Sequence, residues 1–496
     1  MAASYDAAAA AANRFGLGAR PGELAKLGDP RGWLDAQIAS GPSGAQVFAA
    51  LPSSRDYLQR ESEYRLEVRK SRQRGAGKAG AGAPAKRARL TGFREDLLAE
   101  AAARYRLAAT TDTPFAERLV HFWSNHFAVS IDKGTARLYA APMEREAIRP
   151  HVTGRFVDML LAVETHPAML RYLDNVTSIG PDSPAGERIS ARLERNGAAD
   201  KGKAGGLNEN LGREIMELHT LGVNGGYTQA DVTELSRAIT GWSTLLLRDF
   251  ESGAAGGTRR RWGSYRERAA ESRDSAFVFR AFSHEPGART VLGRTYPQGG
   301  VEQGRAILAD LARHPATARH LSTQLARHFV ADDPPQALVD RMAASYLEHD
   351  TDLAAVYRTL AASPEAWSAA ARKFKTPRDF VISSLRAAQI DVGRNPKPLL
   401  ALLDRMGEPM FTPRSPAGFP DTGSNWIDPD ALWKRVQAAE ALSARVSLMS
   451  LQPLELARAV LGNNLDSETS SAIRRAESTQ QAAAILFACP AFQWRV

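Results

Sequence analysis

Residues 208–222 read Asn-Glu-Asn-Leu-Gly-Arg-Glu-Ile-Met-Glu-Leu-His-Thr-Leu-Gly, a stretch that combines helical spacing with a high density of polar side chains. At about 100° per residue, Leu211, Ile215 and Leu218 share one face of a helix. The opposite face carries a polar set: Glu209, Asn210, Arg213, Glu214 and Glu217. A glycine such as Gly222 is typical of the residues that come directly after a helix. We therefore predict an amphipathic helix over 208–221 with its apolar face buried.

The rest of the chain favours the same kind of structure. It has 496 residues, of which 44% are hydrophobic and only 7% aromatic. Alanine and leucine are abundant, whereas the β-branched residues typical of strands are few. We predict an all-α fold, a large multi-helical body with at most a small β-hairpin near 276–292, in which 276–282 pairs with 290–292. We place an N-terminal helical region at 1–250 and a C-terminal one at 251–496, packed as one body.

The positive charge of the chain is concentrated in one tract. The formal net charge is +9, and residues 69–89 hold eight basic side chains and no acid, which leaves +1 for all other residues. Because this tract is rich in glycine and alanine, we expect a flexible basic loop at 70–90. Polar, Gly-rich segments at 180–206 and 250–275 predict two further loops. No aromatic residue interleaves the charges at 70–90, so nucleic acid ranks last among the partners considered.

The sequence contains little that points to export or to a membrane. Its one cysteine, Cys489, excludes a disulfide within the chain and a multi-cysteine zinc site. No run of about 18 apolar residues predicts a membrane span. The N-terminus lacks a basic region followed by a strongly apolar one, which is the pattern of a signal peptide. We therefore expect a cytoplasmic location, with co-export to the periplasm as the alternative.

Two interpretations of the polar face of helix 208–221 remain open. Its i,i+4 pairs fit a salt-bridged outer face, and spacing alone favours this structural interpretation. Amide side chains beside the acids and Gly-rich loops on both sides instead favour a functional site. On the second interpretation, the catalytic candidates are Glu209, Arg213, Glu214 and Glu217, together with His126 of the segment His121-Phe-Trp-Ser-Asn-His126.

Several motifs resemble the large bacterial family called domain of unknown function 1800. They include Phe122-Trp-Ser-Asn-His126-Phe, His166-Pro-Ala-Met-Leu-x-Tyr-Leu-Asp174-Asn175, Asn208-Glu-Asn-x-x-Arg213-Glu-x-Met-Glu217 and Thr240-Gly-Trp242. The resemblance implies an all-helical fold and supplies no established activity. Members are often encoded beside an exported protein similar to sulfatases and phosphatases, which suggests a partner. At His284-Glu285 this chain departs from the usual His-Asp.

We take as the leading hypothesis a polar cleft built around helix 208–221 that is hydrolytic or binds a divalent metal. Carboxylates beside histidine and amide groups can act as general acids and bases or hold a hard cation. The candidate ligand-binding residues are Asn125, Asp174, Asn175, Asn208, Asn210, Trp242 and His284. The alternative hypothesis is a non-enzymatic binding or escort partner of the exported sulfatase- or phosphatase-like protein.

Overall fold

The computed structural model describes residues 6–73, 83–195, 206–245, 276–369, 371–446 and 452–495. These residues confirm the all-α prediction, because α-helices succeed one another along the described chain. In the N-terminal half the α-helices are Ala7–Ala10, Glu23–Lys26, Pro30–Ser40, Ser54–Gln73, Ala83–Thr110, Pro114–His126, Ala140–Met143, Phe156–Glu164, Pro167–Tyr172, Pro184–Arg195, Asn210–Glu214 and Gln229–Ala238. Later come Val301–Ala312, Pro315–Phe329, Gln336–Glu348, Leu353–Ala362, Pro377–Ala387, Lys397–Arg405, Pro429–Ser443, Pro453–Leu461, Ser467–Arg474, Thr479–Ala488 and Pro490–Gln493.

Shorter helical turns extend several of these helices. Three of them are π-helical, with one extra residue in the turn: Ala11–Phe15, Glu144–Ile148 and Ile215–His219. The 3₁₀ turns are Ala45–Phe48, Arg149–His151, Asn175–Thr177, Ala281–Ser283, Pro364–Trp367, Gly423–Asn425 and Gly462–Asn464. The π turns matter for function because such turns occur frequently at functional sites.

Among the described residues the strands form three small antiparallel sheets, and their pairing differs from the predicted hairpin. Phe277–Phe279 pairs with Trp242–Thr244, and Arg289–Val291 pairs with Arg294–Tyr296. The third sheet joins Lys373–Phe374 to Trp494–Arg495, near the end of the chain. The prediction that 276–282 pairs with 290–292 is therefore wrong. Its first segment pairs with a strand that lies far away in sequence, and local patterning does not show such a partner.

The predicted loops also differ from the structure where it describes them. Residues 70–73 end the helix Ser54–Gln73, and residues 83–90 begin the helix Ala83–Thr110. Pro184–Arg195 is helical within the expected loop 180–206. Arginine, lysine and alanine are good helix formers, so a polar, basic composition did not exclude helix. The prediction at 250–275 lies outside the described residues, as do 74–82 and 196–205.

Buried apolar side chains form two large cores. The first draws on residues between 10 and 371 and includes much of the helix Pro114–His126. The second draws on residues 12–19, 101–109 and 380–492. The N-terminal segment contributes to both, so it helps to join them. The boundary at 250/251 stays a prediction. No helix in the described part of the chain is long and apolar enough to cross a membrane.

Candidate functional site

The predicted helix 208–221 is present, but it is not a regular α-helix. Asn210–Glu214 is α-helical and Ile215–His219 is a π turn. The extra residue of the π turn rotates the side chains within and after it, so Met216 and His219 are fully buried. Leu218, predicted on the buried face, is only half-buried. Gly222 then adopts the left-handed conformation, with φ of 85°, as expected after a helix.

Glu209 and Arg213 join this helix to the next one. The Glu209 carboxylate accepts hydrogen bonds from Thr233 Oγ1 at 2.7 Å, Gln229 Nε2 at 2.8 Å and Arg213 Nη2 at 3.3 Å. Arg213 also donates to Gln229 Oε1 at 2.8 Å. The hydrogen bond from Thr233 is the main cause that lowers the pKa of Glu209. These two side chains thus have a structural role in holding helix Gln229–Ala238 against residues 209–213.

Glu214 and Glu217 come next on the same helix and are half-buried. Burial raises the pKa of Glu214, and the neighbouring Glu217 raises it further, although His219 acts in the opposite direction. Neither carboxylate lines the cavity formed at the C-terminal end of this helix. Glu214 lies near Tyr172, and Glu217 lies near Tyr227.

Most of the predicted ligand-binding residues stabilise turns. Asn175 Nδ2 donates to the carbonyl oxygens of Ile239 and Trp242, both at 3.1 Å. Trp242 itself is fully buried. His284 Nδ1 lies 3.0 Å from the carbonyl oxygen of Thr240. These contacts bring Asn175, Trp242 and His284 to one small region beside the first sheet.

Three further candidates lie elsewhere on the surface. Asp174 has φ of 59° and accepts a hydrogen bond from Lys133 Nζ. Asn208 Oδ1 accepts from the backbone N–H of Asn210 at 2.9 Å, which starts the helix. Asp174, Asn208 and Asn210 are therefore not among the residues that line a cavity with His126.

Asn125 and His126, by contrast, line a cavity of about 290 Å³. Five parts of the chain enclose it: the end of Pro114–His126, the end of the π turn, one face of Pro315–Phe329, the start of Pro377–Ala387 and the loop 408–422. The lining residues are Phe122, Asn125, His126, Leu218, His320, Gln324, Arg327, His328, Thr376, Arg378, Glu408, Ala417, Phe419, Pro420, Asp421 and Thr422. The cavity thus joins parts of the chain that lie far apart in sequence.

Asn125 holds one wall of this cavity in place. Its Nδ2 donates to the carbonyl oxygen of Phe419 at 2.9 Å, and its Oδ1 accepts from the backbone N–H of Phe419 at 2.9 Å. Gly418 approaches so closely that an added Cβ would lie 2.4 Å from the carbonyl oxygen of Asn125. The amide therefore fixes the loop, and its hydrogen-bonding groups are occupied.

His126 and His320 bind consecutive carbonyl groups at the end of the π turn. His126 Nε2 lies 3.2 Å from the carbonyl oxygen of His219, and His320 Nε2 lies 3.1 Å from that of Leu218. A carbonyl oxygen can only accept, so each Nε2 carries the proton. Removal from water lowers the pKa of both rings, and the neighbouring His219 adds to the effect. Both rings are therefore neutral near pH 7, with an unprotonated Nδ1.

His219 lies beneath His126 as part of a buried pair. Its Nδ1 is 2.8 Å from Glu164 Oε1, and both side chains are fully buried. The contact is short, but its angle is not that of a hydrogen bond. The His219 and His126 rings lie 6.2 Å apart. The pair thus attaches the end of the π turn to the helix Phe156–Glu164. His219 in turn contacts His126 through its ring and its carbonyl oxygen.

The opposite wall of the cavity is an ionic network. His328 Nδ1 lies 2.7 Å from Asp421 Oδ2, and Arg495 Nη1 lies 3.4 Å from His328 Nε2. Burial lowers the pKa of His328 to about 4, so this ring is neutral at pH 7. Burial opposes the charge of Asp421 too, yet His328 and Arg495 hold the pKa of this carboxyl below its ordinary value.

Glu408 lines the cavity, and one of its carboxylate oxygens makes no hydrogen bond within the described residues. Its Oε2 accepts from the backbone N–H of Arg378 at 2.8 Å. Its buried Oε1 has no hydrogen-bond partner in the described part of the chain and lies 3.6 Å from Arg378 Nε. Burial raises the pKa of Glu408. The cavity therefore offers a neutral base, His126, and a carboxyl group whose pKa is raised by burial.

Most of the residues that line this cavity were not predicted from the sequence. His320, Gln324, Arg327 and His328 lie at i, i+4, i+7 and i+8 of the helix Pro315–Phe329, so they share one face. This spacing in the sequence could have indicated a shared polar face. Glu408 and Asp421 belong to a Pro- and Gly-rich loop without periodicity, and no local pattern places them. Across the described residues, no group of three or more His, Cys, Asp or Glu side chains is arranged to hold a metal ion.

The fold and the site together define an all-α protein in which histidine, arginine and carboxylate side chains surround a small cavity. The chain belongs to the family described as protein of unknown function (DUF1800), whose model matches residues 10–494. This match confirms the resemblance seen in the motifs. Searches among curated proteins and among solved structures give no match.

Proposed function

We propose that the cavity beside His126 binds a small polar substrate and that His126 acts there as a general base in a hydrolytic reaction. The observation that carries this proposal is the fixed protonation of the ring. Its Nε2–H is directed to the carbonyl oxygen of His219, and its lowered pKa keeps Nδ1 unprotonated. A neutral imidazole whose other nitrogen is held by a hydrogen bond is suited to accept a proton.

The cavity also contains groups for the other parts of such a reaction. His126 Nδ1 would take a proton from water as the water oxygen attacks an ester centre, and the imidazolium would return it to the leaving alcohol. Arg327 and Arg378 provide positive charge where negative charge develops on the substrate. Glu408, whose pKa is raised by burial, is the alternative to the imidazolium as the donor of that one proton to the leaving group. The helix 208–221 contributes its C-terminal end and not its acidic face.

The test is hydrolysis of p-nitrophenyl acetate, phosphate and sulfate by the wild type and by His126→Gln. Glutamine keeps an Nε2 donor for the His219 carbonyl but lacks a basic nitrogen. We expect a loss of at least about 100-fold in kcat/KM, the lower range for general-base catalysis. His349→Gln is the matched control, because His349 is exposed and away from the cavity. Equal rates for wild type and His126→Gln, or no hydrolysis above background, would contradict the proposal.

The pH profile provides a second test. Because removal from water lowers the pKa of His126 below the ordinary 6.5, the base is unprotonated across the neutral range. We expect kcat/KM to stay level from about pH 6.5 to 8 and to fall only in more acidic solution. A rate that rises through about pH 6.5–7.5 would indicate a different base.

A second candidate function, a binding partner of the sulfatase- or phosphatase-like protein, is favoured by one surface feature. Ile427, Leu432, Trp433 and Val436 form an exposed apolar patch at the start of the helix Pro429–Ser443, and Trp433 is 61% exposed. Such patches often mark protein interfaces. Co-purification with that protein would be lost in Trp433→Ser and kept in the control Val223→Ser. Retention in Trp433→Ser would refute this surface. The cytoplasmic location stays a prediction.

A further inference from the structure

We infer that the ligand of this cavity carries an oxyanion, a carboxylate or a phosphoryl group, which binds between Arg327 and Arg378. The inference rests on the proposed function in one respect, since it concerns the same cavity. It goes further by naming the chemical class of the substrate. Three observations support it: the unused donors of the two arginines, the charge of the wall behind them and the volume of the cavity.

Arg327 and Arg378 both line the cavity, and their contacts leave guanidinium N–H donors unused. Within the described ranges, Arg327 donates only its Nε–H, to the carbonyl oxygen of Asp332 at 3.1 Å, and has no carboxylate within ion-pair distance. Arg378 has one carboxylate neighbour, Glu408, at 3.6 Å from its Nε. Guanidinium groups bind carboxylate and phosphoryl oxygens through paired N–H donors. The Nη groups of both arginines are available for this.

The wall behind Arg378 carries more positive than negative charge. Asp379 is buried and Asp421 is half-buried in this wall; Arg118 and Arg495 hold the pKa of Asp379 below its ordinary value, and His328 and Arg495 do the same for Asp421, against the effect of burial. Five described cations, Arg118, Lys373, Arg378, Arg435 and Arg495, stand against four acids, Asp332, Asp379, Glu408 and Asp421, and Lys375, whose pKa burial lowers to about 7, adds a partial positive charge. A positively charged wall attracts an anion and disfavours a cation.

The size of the cavity limits the ligand. A volume of about 290 Å³ is at the small end of ligand pockets, which range from roughly 300 to 1,000 Å³. Each liquid water molecule occupies roughly 30 Å³, so a metabolite-sized acid fits and a long polymer does not enter whole. The imidazole of His126 lines the same space. A bound oxyanion would therefore place the remainder of the ligand beside the proposed base.

The experiment measures thermal stabilisation and calorimetric binding of inorganic phosphate and of malonate, with chloride at equal ionic strength as the reference. We expect at least one of the two probes to raise the Tm saturably in the wild type. In Arg327→Gln its affinity should fall about tenfold or more, the loss expected for a charge-assisted hydrogen bond. Arg319→Gln is the matched control, because it removes the same charge from the same helix at an exposed position paired with Asp340.

Each outcome decides the inference. A preference for phosphate or for malonate identifies the phosphoryl or the carboxylate group as the one bound. If neither probe acts beyond chloride, or if Arg327→Gln and Arg319→Gln weaken binding equally, the inference is overturned. The hydrolysis test is separate. If the anion binds but His126→Gln hydrolyses as fast as the wild type, only the proposed function is contradicted. If His126→Gln loses hydrolysis but no anion binds, only this inference is contradicted.

Discussion

Replacement of Asp379 by asparagine tests the ionic network that supports the cavity. Asp379 is 4% exposed at the first turn of the helix Pro377–Ala387. Its Oδ1 accepts from Arg118 Nη1 at 3.0 Å, and its Oδ2 lies 3.4 Å from Arg495 Nε. Both arginines are almost fully buried. The substitution Asp379→Asn keeps the shape of the side chain and removes the negative charge that compensates them.

The expected cost arises from burial. Removing one partner of a buried ion pair leaves an uncompensated charge and costs about 3–5 kcal/mol of the free energy of unfolding. Asp430→Asn is the matched control, since Asp430 also lies in the first turn of a helix and pairs with Lys434. That pair is exposed, so its loss should cost less than about 1 kcal/mol. The difference between the two variants measures the effect of burial.

The assay is urea denaturation of wild type and both variants from about pH 3 to 8. Burial alone would raise the pKa of Asp379, but Arg118 and Arg495 hold it well below the ordinary 3.8. A carboxyl with a lowered folded-state pKa contributes its stability above the unfolded-state pKa of about 3.9 and loses it as the pH falls. The gap between wild type and Asp379→Asn should therefore be full above about pH 5 and shrink below about pH 4. A gap below about 1 kcal/mol at pH 7, or one that grows in acid, would refute the reasoning.

Other perturbations test the frame around the site. Gly222→Ala should cost about 1–3 kcal/mol in urea denaturation, because φ is 85° and a Cβ would lie 2.8 Å from His320 Nδ1; an unchanged midpoint would contradict this. The buried Trp123 indole N–H donates to the Tyr357 hydroxyl at 2.6 Å. Tyr357→Phe removes this acceptor, so urea denaturation should show a loss of about 1–3 kcal/mol in the free energy of unfolding. Burial lowers the pKa of Lys375 from 10.5 to about 7, so wild-type stability should rise with pH between these values, and Lys375→Met should abolish that rise.

Some helix starts in the structure follow from local sequence patterns. Thr228 and Asp231 form a capping box with both reciprocal hydrogen bonds present, and the spacing Thr-x-x-Asp is typical of such a start. Pro114 begins a helix, as expected for proline at a first helical position. The tight hairpin 289–296 was missed because Leu292 stands with Gly293 in its two-residue turn, both at positive φ, where asparagine or aspartate is usual.

The candidate site was predicted only in part, and the reason is physical. Asn125 and His126 line the cavity, and the polar end that they form on an apolar helix is visible in the sequence. The acidic face at Glu209 and Arg213 showed the same polar density, yet it serves to bind a neighbouring helix. Spacing along one helix does not say which element lies opposite it, so the two kinds of polar face look alike in the sequence.

Composition, motifs and local spacing were sufficient to predict the all-α class, the helix 208–221 and the family, because propensity and amphipathic spacing are local properties. Which polar groups share a cavity follows from the tertiary packing alone. His126, Arg327, Arg378 and Glu408 come from distant parts of the chain and line one cavity. Burial in that cavity lowers the pKa of His126 and raises that of Glu408, and this desolvation depends on all the surrounding elements.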